Sequence, residues 1–166
     1  VAFSSRKLLD ELAIMLPSVL NLFELDIHLR KIIDLYKENG FLMVKLENLK
    51  EGKLLTYSPD FTTATLHLSI QEGPQINIGD TLFRGALRTR NRVMEREMTL
   101  KKGDVWNPKK IQQSESKLLR LGLFSQVKIG PLSGTFAPGE NKLLVEVIER
   151  MPGLMEFGGG YASDDG

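Results

Sequence analysis

Residues 76–129, INIGDTLFRGALRTRNRVMEREMTLKKGDVWNPKKIQQSESKLLRLGLFSQVKI, decide the fold of this chain. Ile76, Ile78 and Leu82 predict a strand that bends near Gly79-Asp80 and closes at Gly85. Thr89 offers a cap for a short helix running through Met98, buried by Val93 and Met94 and stopped at Lys102-Gly103. Asn107-Pro108 is a stronger start, an N-cap side chain followed by proline in the first helical position. Ile111, Leu118 and Leu119 form the stripe of that helix. Ser114 shares its face, where a small residue permits close approach to a sheet, and Gly122 ends it after Leu121. Val127 and Ile129 mark the next strand. A loop from Gly130 to Asn141 then leads to a last strand, Lys142 to Glu149, with Leu143, Val145 and Val147 on one face. The order is β-α-α-β-β.

The residues before this stretch repeat the order without its opening strand. Ser4 and Ser5 can cap a helix carrying Leu8, Leu9, Leu12 and Ala13, and Pro17 interrupts it. Leu25, Leu29, Ile32, Ile33 and Tyr36 make one stripe on a second helix, stopped by Asn39-Gly40. Phe41 to Glu47 predicts a strand with Leu42, Val44 and Leu46 on one face. After turn signals at Gly52, Ser58, Pro59 and Asp60, Thr65 to Gln71 alternates with period two. The halves align: Leu29 with Ile111, Tyr36 with Leu118, Gly40-Phe41 with Gly122-Leu123, and Ile70–Pro74 with Ile148–Pro152. The expected class is α+β, with two tandem β-α-α-β-β two-layer units, the first lacking its opening strand. Their expected limits are 1–74 and 75–151, with a tail over 152–166.

Composition narrows the function. Apolar residues at 42% and charged residues at 26% describe a chain able to bury a core. A net charge of +1 gives no basic excess to attract nucleic acid. With no cysteine and two histidines, thiolate chemistry and His-rich metal sites are excluded. No apolar run reaches the roughly 20 residues of a spanning helix, and Val1-Ala2-Phe3 does not open a signal peptide. Gly158-Gly159-Gly160 lacks the Lys-Ser/Thr of a phosphate loop, and Ser163–Gly166 lacks the ligand spacing of a calcium loop. His28 and His67 have no partner in their motifs and read as solvated. Arg84, Arg88, Arg90, Arg92 and Arg96 are diluted by Glu95 and Glu97 and read as a solvated face. The helix–helix connections, Leu16 to Phe23 and Leu100 to Trp106, lack the Gly-x-x-Gly of a KH module. No catalytic, cofactor or metal constellation is present, so no enzyme and no nucleic-acid partner is expected.

The second unit resembles a POTRA (polypeptide-transport-associated) domain. The points of likeness are the strand ending in Gly85, the Lys102-Gly103-Asp104 turn, Asn107, Ser114 and LLRLGLF at Leu118–Phe124. Glu72-Gly73-Pro74 resembles the seam between consecutive POTRA units, and MPGLMEFGGGYASDDG resembles the approach to the first barrel strand of BamA-type outer-membrane assembly proteins. The first unit departs from the pattern, with Asn21 where the second has Gly103 and no opening strand, as in a piece cut from a longer protein. The resemblance implies a module on the periplasmic face of a bacterial outer membrane. Its partners would be unfolded outer-membrane proteins and accessory lipoproteins, with the whole protein held by a C-terminal β-barrel absent here. A two-partner-secretion or TamA-like transporter, or a purely structural spacer, stays open.

An unpaired strand edge presents backbone donors and acceptors in a row, which an extended client can match whatever its sequence. In each unit the strand before the last is expected at the edge, because the last strand is the more continuously apolar and suits the centre. The candidate partner-binding residues are therefore Leu42, Met43, Val44, Lys45, Leu46 and Glu47 in the first unit, and Val127, Lys128 and Ile129 in the second.

Overall fold

In the computed structural model, residues 2–4, 6, 8, 10, 20–47 and 54–151 are described. The tail over 152–166, and with it the expected barrel approach, lies outside them, as do Ser5, Leu9, Leu12 and Ala13.

The second unit is built on one sheet. Strand β5 (Ile76–Arg84) pairs in parallel with β7 (Gly139–Glu149), which pairs antiparallel with β6 (Phe124–Pro131), so the order is β5-β7-β6. The register of β5 slips between Ile78 and Thr81, at the bend expected from Gly79-Asp80. Leu143, Val145 and Val147 of β7 are buried with Ile76, Ile78, Phe124 and Ile129 beneath α2 (Asn91–Glu97) and α3 (Pro108–Arg120). Met94, Ile111 and Leu118 supply the helix side of this core; Leu119, expected in the stripe, is exposed. Asn107 caps α3 by accepting from the Lys110 amide (3.1 Å). Ser114 earns its small size through hydrogen bonds, bonding the Thr99 amide (3.0 Å) and hydroxyl (2.8 Å).

Two further details of the second unit differ from the sequence reading. Thr89 does not cap α2: its amide, with that of Arg88, donates to the Glu149 carboxylate at the end of β7, and the helix starts at Asn91. Those amides hold the Glu149 carboxyl below its usual range, the Thr89 amide contributing most. The loop after β6 is also shorter, covering 132–138. Buried Asn141 accepts from the Ala137 amide (2.9 Å) and donates to its carbonyl (2.7 Å), and Phe136 meets Trp106 edge-on at 4.6 Å.

In the first unit, α1 (Leu22–Glu38) buries Leu25, Leu29, Ile32 and Tyr36, one face of the expected stripe. Asn21 is its cap, accepting from the Phe23 amide (3.0 Å). The strand expected over Phe41–Glu47 shrinks to β1 (Lys45–Leu46), because Phe41–Val44 form a turn closed by the Val44 amide on the Phe41 carbonyl (3.3 Å). The expected strand over Thr65–Gln71 changes partner midway. Its first part, β3 (Ala64–Leu66), pairs with β2 (Leu55–Tyr57), a strand that the turn signals around Ser58 concealed; its last part, β4 (Ile70–Gln71), pairs with β1. The period-two pattern still holds, since Leu66, Leu68 and Ile70 all pack against the first core.

Buried residues fall into two clusters, and the seam between them is bonded. The Ile76 amide donates to the Gly40 carbonyl (2.9 Å), and the Asn107 side-chain amide donates to the Glu38 carbonyl (2.8 Å). Lys109 pairs with the Glu38 carboxylate at 2.6 Å, and Leu42 packs onto the second cluster rather than the first.

Gly85, at φ +89°, has no room for a side chain: a Cβ there would fall on the Val147 carbonyl oxygen. Gly134, at φ +76°, faces open space. Gly85→Ala is expected to cost about 3 kcal/mol or more and Gly134→Ala only about 1 kcal/mol, read from urea unfolding followed by Trp106 fluorescence. Burial first, and then the bond from its hydroxyl to Glu72 (3.0 Å), push the Tyr36 phenol up to about 12. The folded state thus holds this proton more tightly than the unfolded chain, where a tyrosine titrates near ~10. The stabilisation is complete below pH ~10 and is lost as pH rises from there through about 12. Absorbance titration should show one late tyrosinate step, and Tyr36→Phe should remove it.

Candidate functional site

Central placement of β7 leaves the outer side of β6 without a paired strand among the described residues. In an antiparallel pair, alternate residues turn their backbone groups toward the partner and away from it. The Leu132 amide donates to the Lys142 carbonyl (2.8 Å), and Gly130, Lys128 and Gln126 continue that register against β7. The outward residues of β6 are therefore Val127, Ile129 and Pro131. They are not equivalent. Proline has no donor, and the Ile129 amide donates to a Glu115 carboxylate oxygen of α3 (2.8 Å). Val127 alone of the three keeps an amide without a partner among the described residues.

The other sheet edge is occupied at one end. The Ile78 amide donates to the Asp104 carbonyl (2.8 Å) and the Trp106 amide to the Ile76 carbonyl (2.9 Å), so the segment 103–106 lies along the start of β5. On the sheet face away from the helices, Arg84, Glu146 and Lys128 stand in one cross-strand row, with Arg84 and Glu146 paired at 3.1 Å. That face is polar in its middle, with Leu82 and Ile148 exposed beside the row.

In the first unit the expected edge is shorter than the sequence reading. Leu42 and Met43 lie in the turn, Val44 is buried, and only Lys45 and Leu46 are in β1. The Glu47 amide faces the sheet, donating to the Ser69 carbonyl (3.0 Å), while the Glu47 carboxylate accepts from the Ser69 hydroxyl (2.9 Å). By the same alternation Lys45 faces Gln71, and Leu46 carries the outward amide. In the second unit Val127, Lys128 and Ile129 all lie in β6, with Lys128 turned to β7.

Glu115 was missed by the sequence reading. Its signal was its position, four residues after Ile111 and beside Ser114, a carboxylate at the border of the apolar stripe. His28, read as solvated, is half-buried, and its Nδ1 has no hydrogen-bond partner among the described residues.

A three-stranded β5-β7-β6 sheet with two helices over one face defines a POTRA-type unit. Residues 76–150 match the family described as "POTRA: Surface antigen variable number repeat". "Outer membrane protein assembly factor BamA" of Neorickettsia risticii (strain Illinois) is 39% identical over 83 residues, 49% of this chain and 11% of that protein. The protein of the same name from Neisseria meningitidis serogroup B is 29% identical over 112 residues, 65% of this chain and 14% of that protein. Among solved structures, Haemophilus ducreyi BamA lacking POTRA domains 1–3 superposes with TM-score 0.65 and 19% identity, covering 89% of this chain and 28% of that one. Haemophilus influenzae BamA POTRA3–5 gives TM-score 0.57 and 18% identity, covering 87% and 56%. Residues 76–150 thus match the POTRA family, and the chain is similar over part of its length to proteins named BamA.

Amide hydrogen exchange should read the edge residue by residue. Val127 is expected to exchange about a hundredfold faster than Lys128 and Gly130, whose amides are bonded to β7. Equal protection along β6 would contradict the edge assignment.

Proposed function

We propose that this chain is a periplasmic portion of an outer-membrane protein assembly factor. It divides into POTRA units at 1–74 and 75–151, with 152–166 leading toward a first barrel strand. In this reading it catalyses no reaction and needs no cofactor. It holds unfolded barrel precursors, and accessory lipoproteins, by adding their strands to its own sheet edges, on the periplasmic side of the membrane that the whole protein enters through a barrel.

The observation that carries this reading is the outer side of β6, where the Val127 amide and the carbonyls of Val127, Ile129 and Pro131 face away from β7. Backbone pairing suits a handler of many clients, because the bonds it offers are independent of client sequence. The Leu46 amide offers a smaller counterpart in the first unit. Curated relatives named as assembly factors support the same reading, although the chain spans only 11% and 14% of their lengths.

So short an edge buries little area, and binding should be weak, with Kd on the order of tens of micromolar or poorer. A peptide copied from a barrel strand, titrated into isotope-labelled chain, is expected to shift the amides of Val127–Ile129 and Lys45–Leu46. Val127→Pro should remove the second-unit response while leaving the fold intact, since that amide bonds nothing within the sheet. Shifts confined to the helices, or none at millimolar peptide, would favour a spacer that only positions a barrel.

A further inference from the structure

We infer that Glu115 is a latch on the β6 edge, holding it closed to strand addition until its carboxylate is displaced. This deepens the strand-addition reading and rests on it.

The argument starts from what an incoming strand needs. To pair along β6 it must find outward donors and acceptors at every second residue, here Val127, Ile129 and Pro131. Pro131 has no donor to give. The Ile129 donor is already engaged by the Glu115 carboxylate at 2.8 Å. A bond to an ionised acceptor is stronger than one to a neutral carbonyl, so a client carbonyl competes at a disadvantage. Glu115 also projects from α3, which packs against β6, so its side chain crosses the space that a client strand beside the helix would occupy. One carboxylate thus blocks the edge twice, by taking a donor and by filling the strand's path.

The latch is also releasable. Glu115 is partly exposed on a helix whose own backbone bonds do not depend on it, so a rotamer change frees the Ile129 amide without moving α3 or β6. A closed edge protects the free protein from pairing with other copies of itself. Among the described residues the first unit shows no equivalent on its outward amide at Leu46; the neighbouring acidic residue, Glu47, turns instead to Ser69 within the sheet. Among the described residues the two units therefore differ in readiness: the first edge is short and open, the second long and latched.

The test uses the 166-residue chain, with Glu115→Ala and Glu115→Gln, and two readouts. Amide exchange at Ile129 should accelerate about tenfold or more in Glu115→Ala, and less in Glu115→Gln, which keeps a neutral acceptor. Titration with a barrel-strand peptide should show tighter binding at Val127–Ile129 in Glu115→Ala, by about fivefold to tenfold, with Lys45–Leu46 unchanged. Trp106 fluorescence unfolding confirms that each variant is folded. Unchanged Ile129 exchange in Glu115→Ala overturns the latch. Accelerated exchange with equal peptide affinity at β6 in wild type and variant overturns the gating while strand addition stands. Accelerated exchange with no peptide bound by either protein overturns strand addition at this edge, and with it the gate, while the capped amide remains.

Discussion

Pairing of β7 on both sides is the constraint from which the rest of the second unit follows. An interior strand must satisfy its backbone groups toward two neighbours while one row of side chains fills the core. Its eleven residues do this by holding β5 in parallel and β6 antiparallel, with Leu143, Val145 and Val147 turned under the helices. A parallel neighbour cannot be reached by a tight turn, so the chain leaves β5, builds α2 and α3 over the sheet, and returns through β6. Closeness at the centre has a local cost. The backbone of β7 comes so near Gly85 that no side chain fits there.

The helices are tied to this sheet, and to the unit before it, by polar side chains with more than one task. Asn107 caps α3 with its oxygen and donates its side-chain amide to the last turn of α1, so the end of one helix is fastened to the start of another. Glu149 ends β7 and collects the amides of Arg88 and Thr89, fixing the approach to α2. Such dual use explains why the seam is more than a linker: Leu42 has left its own unit's core and packs against the next.

An edge strand is at once a binding surface and a hazard, because the same unpaired groups accept a client or another copy. The two units handle it differently. In the first, the edge is cut to two residues by a turn and by a partner change in the following strand. In the second, a long edge is kept and its donors are managed individually: one absent at Pro131, one held by Glu115, one left at Val127. In the proposed strand-adding role, weak and controllable pairing is useful, since a client held too firmly is not passed on.

Much of this was legible in the residues themselves. The β-α-α-β-β order of the second unit, the Asn107-Pro108 helix start, the bend at Gly79-Asp80 and the central apolar strand all follow from local propensity and period, which act within a few residues. Which partner a strand takes is not a local property. Thr65–Gln71 keeps its alternation whether it has one neighbour or two, so only the folded chain divides it between β2 and β1. The same holds for Thr89, a good cap by type that instead gives its amide to Glu149, sixty residues away, while the helix starts only at Asn91. The candidate edge was predictable as a strand, but whether a given amide on it is open depends on a side chain from another element. Sequence alone determined that Val127 to Ile129 would be extended; tertiary structure decided that, among the described residues, the Ile129 amide is taken and the Val127 amide is not, because hydrogen bonds across space obey geometry that spacing along the chain does not record.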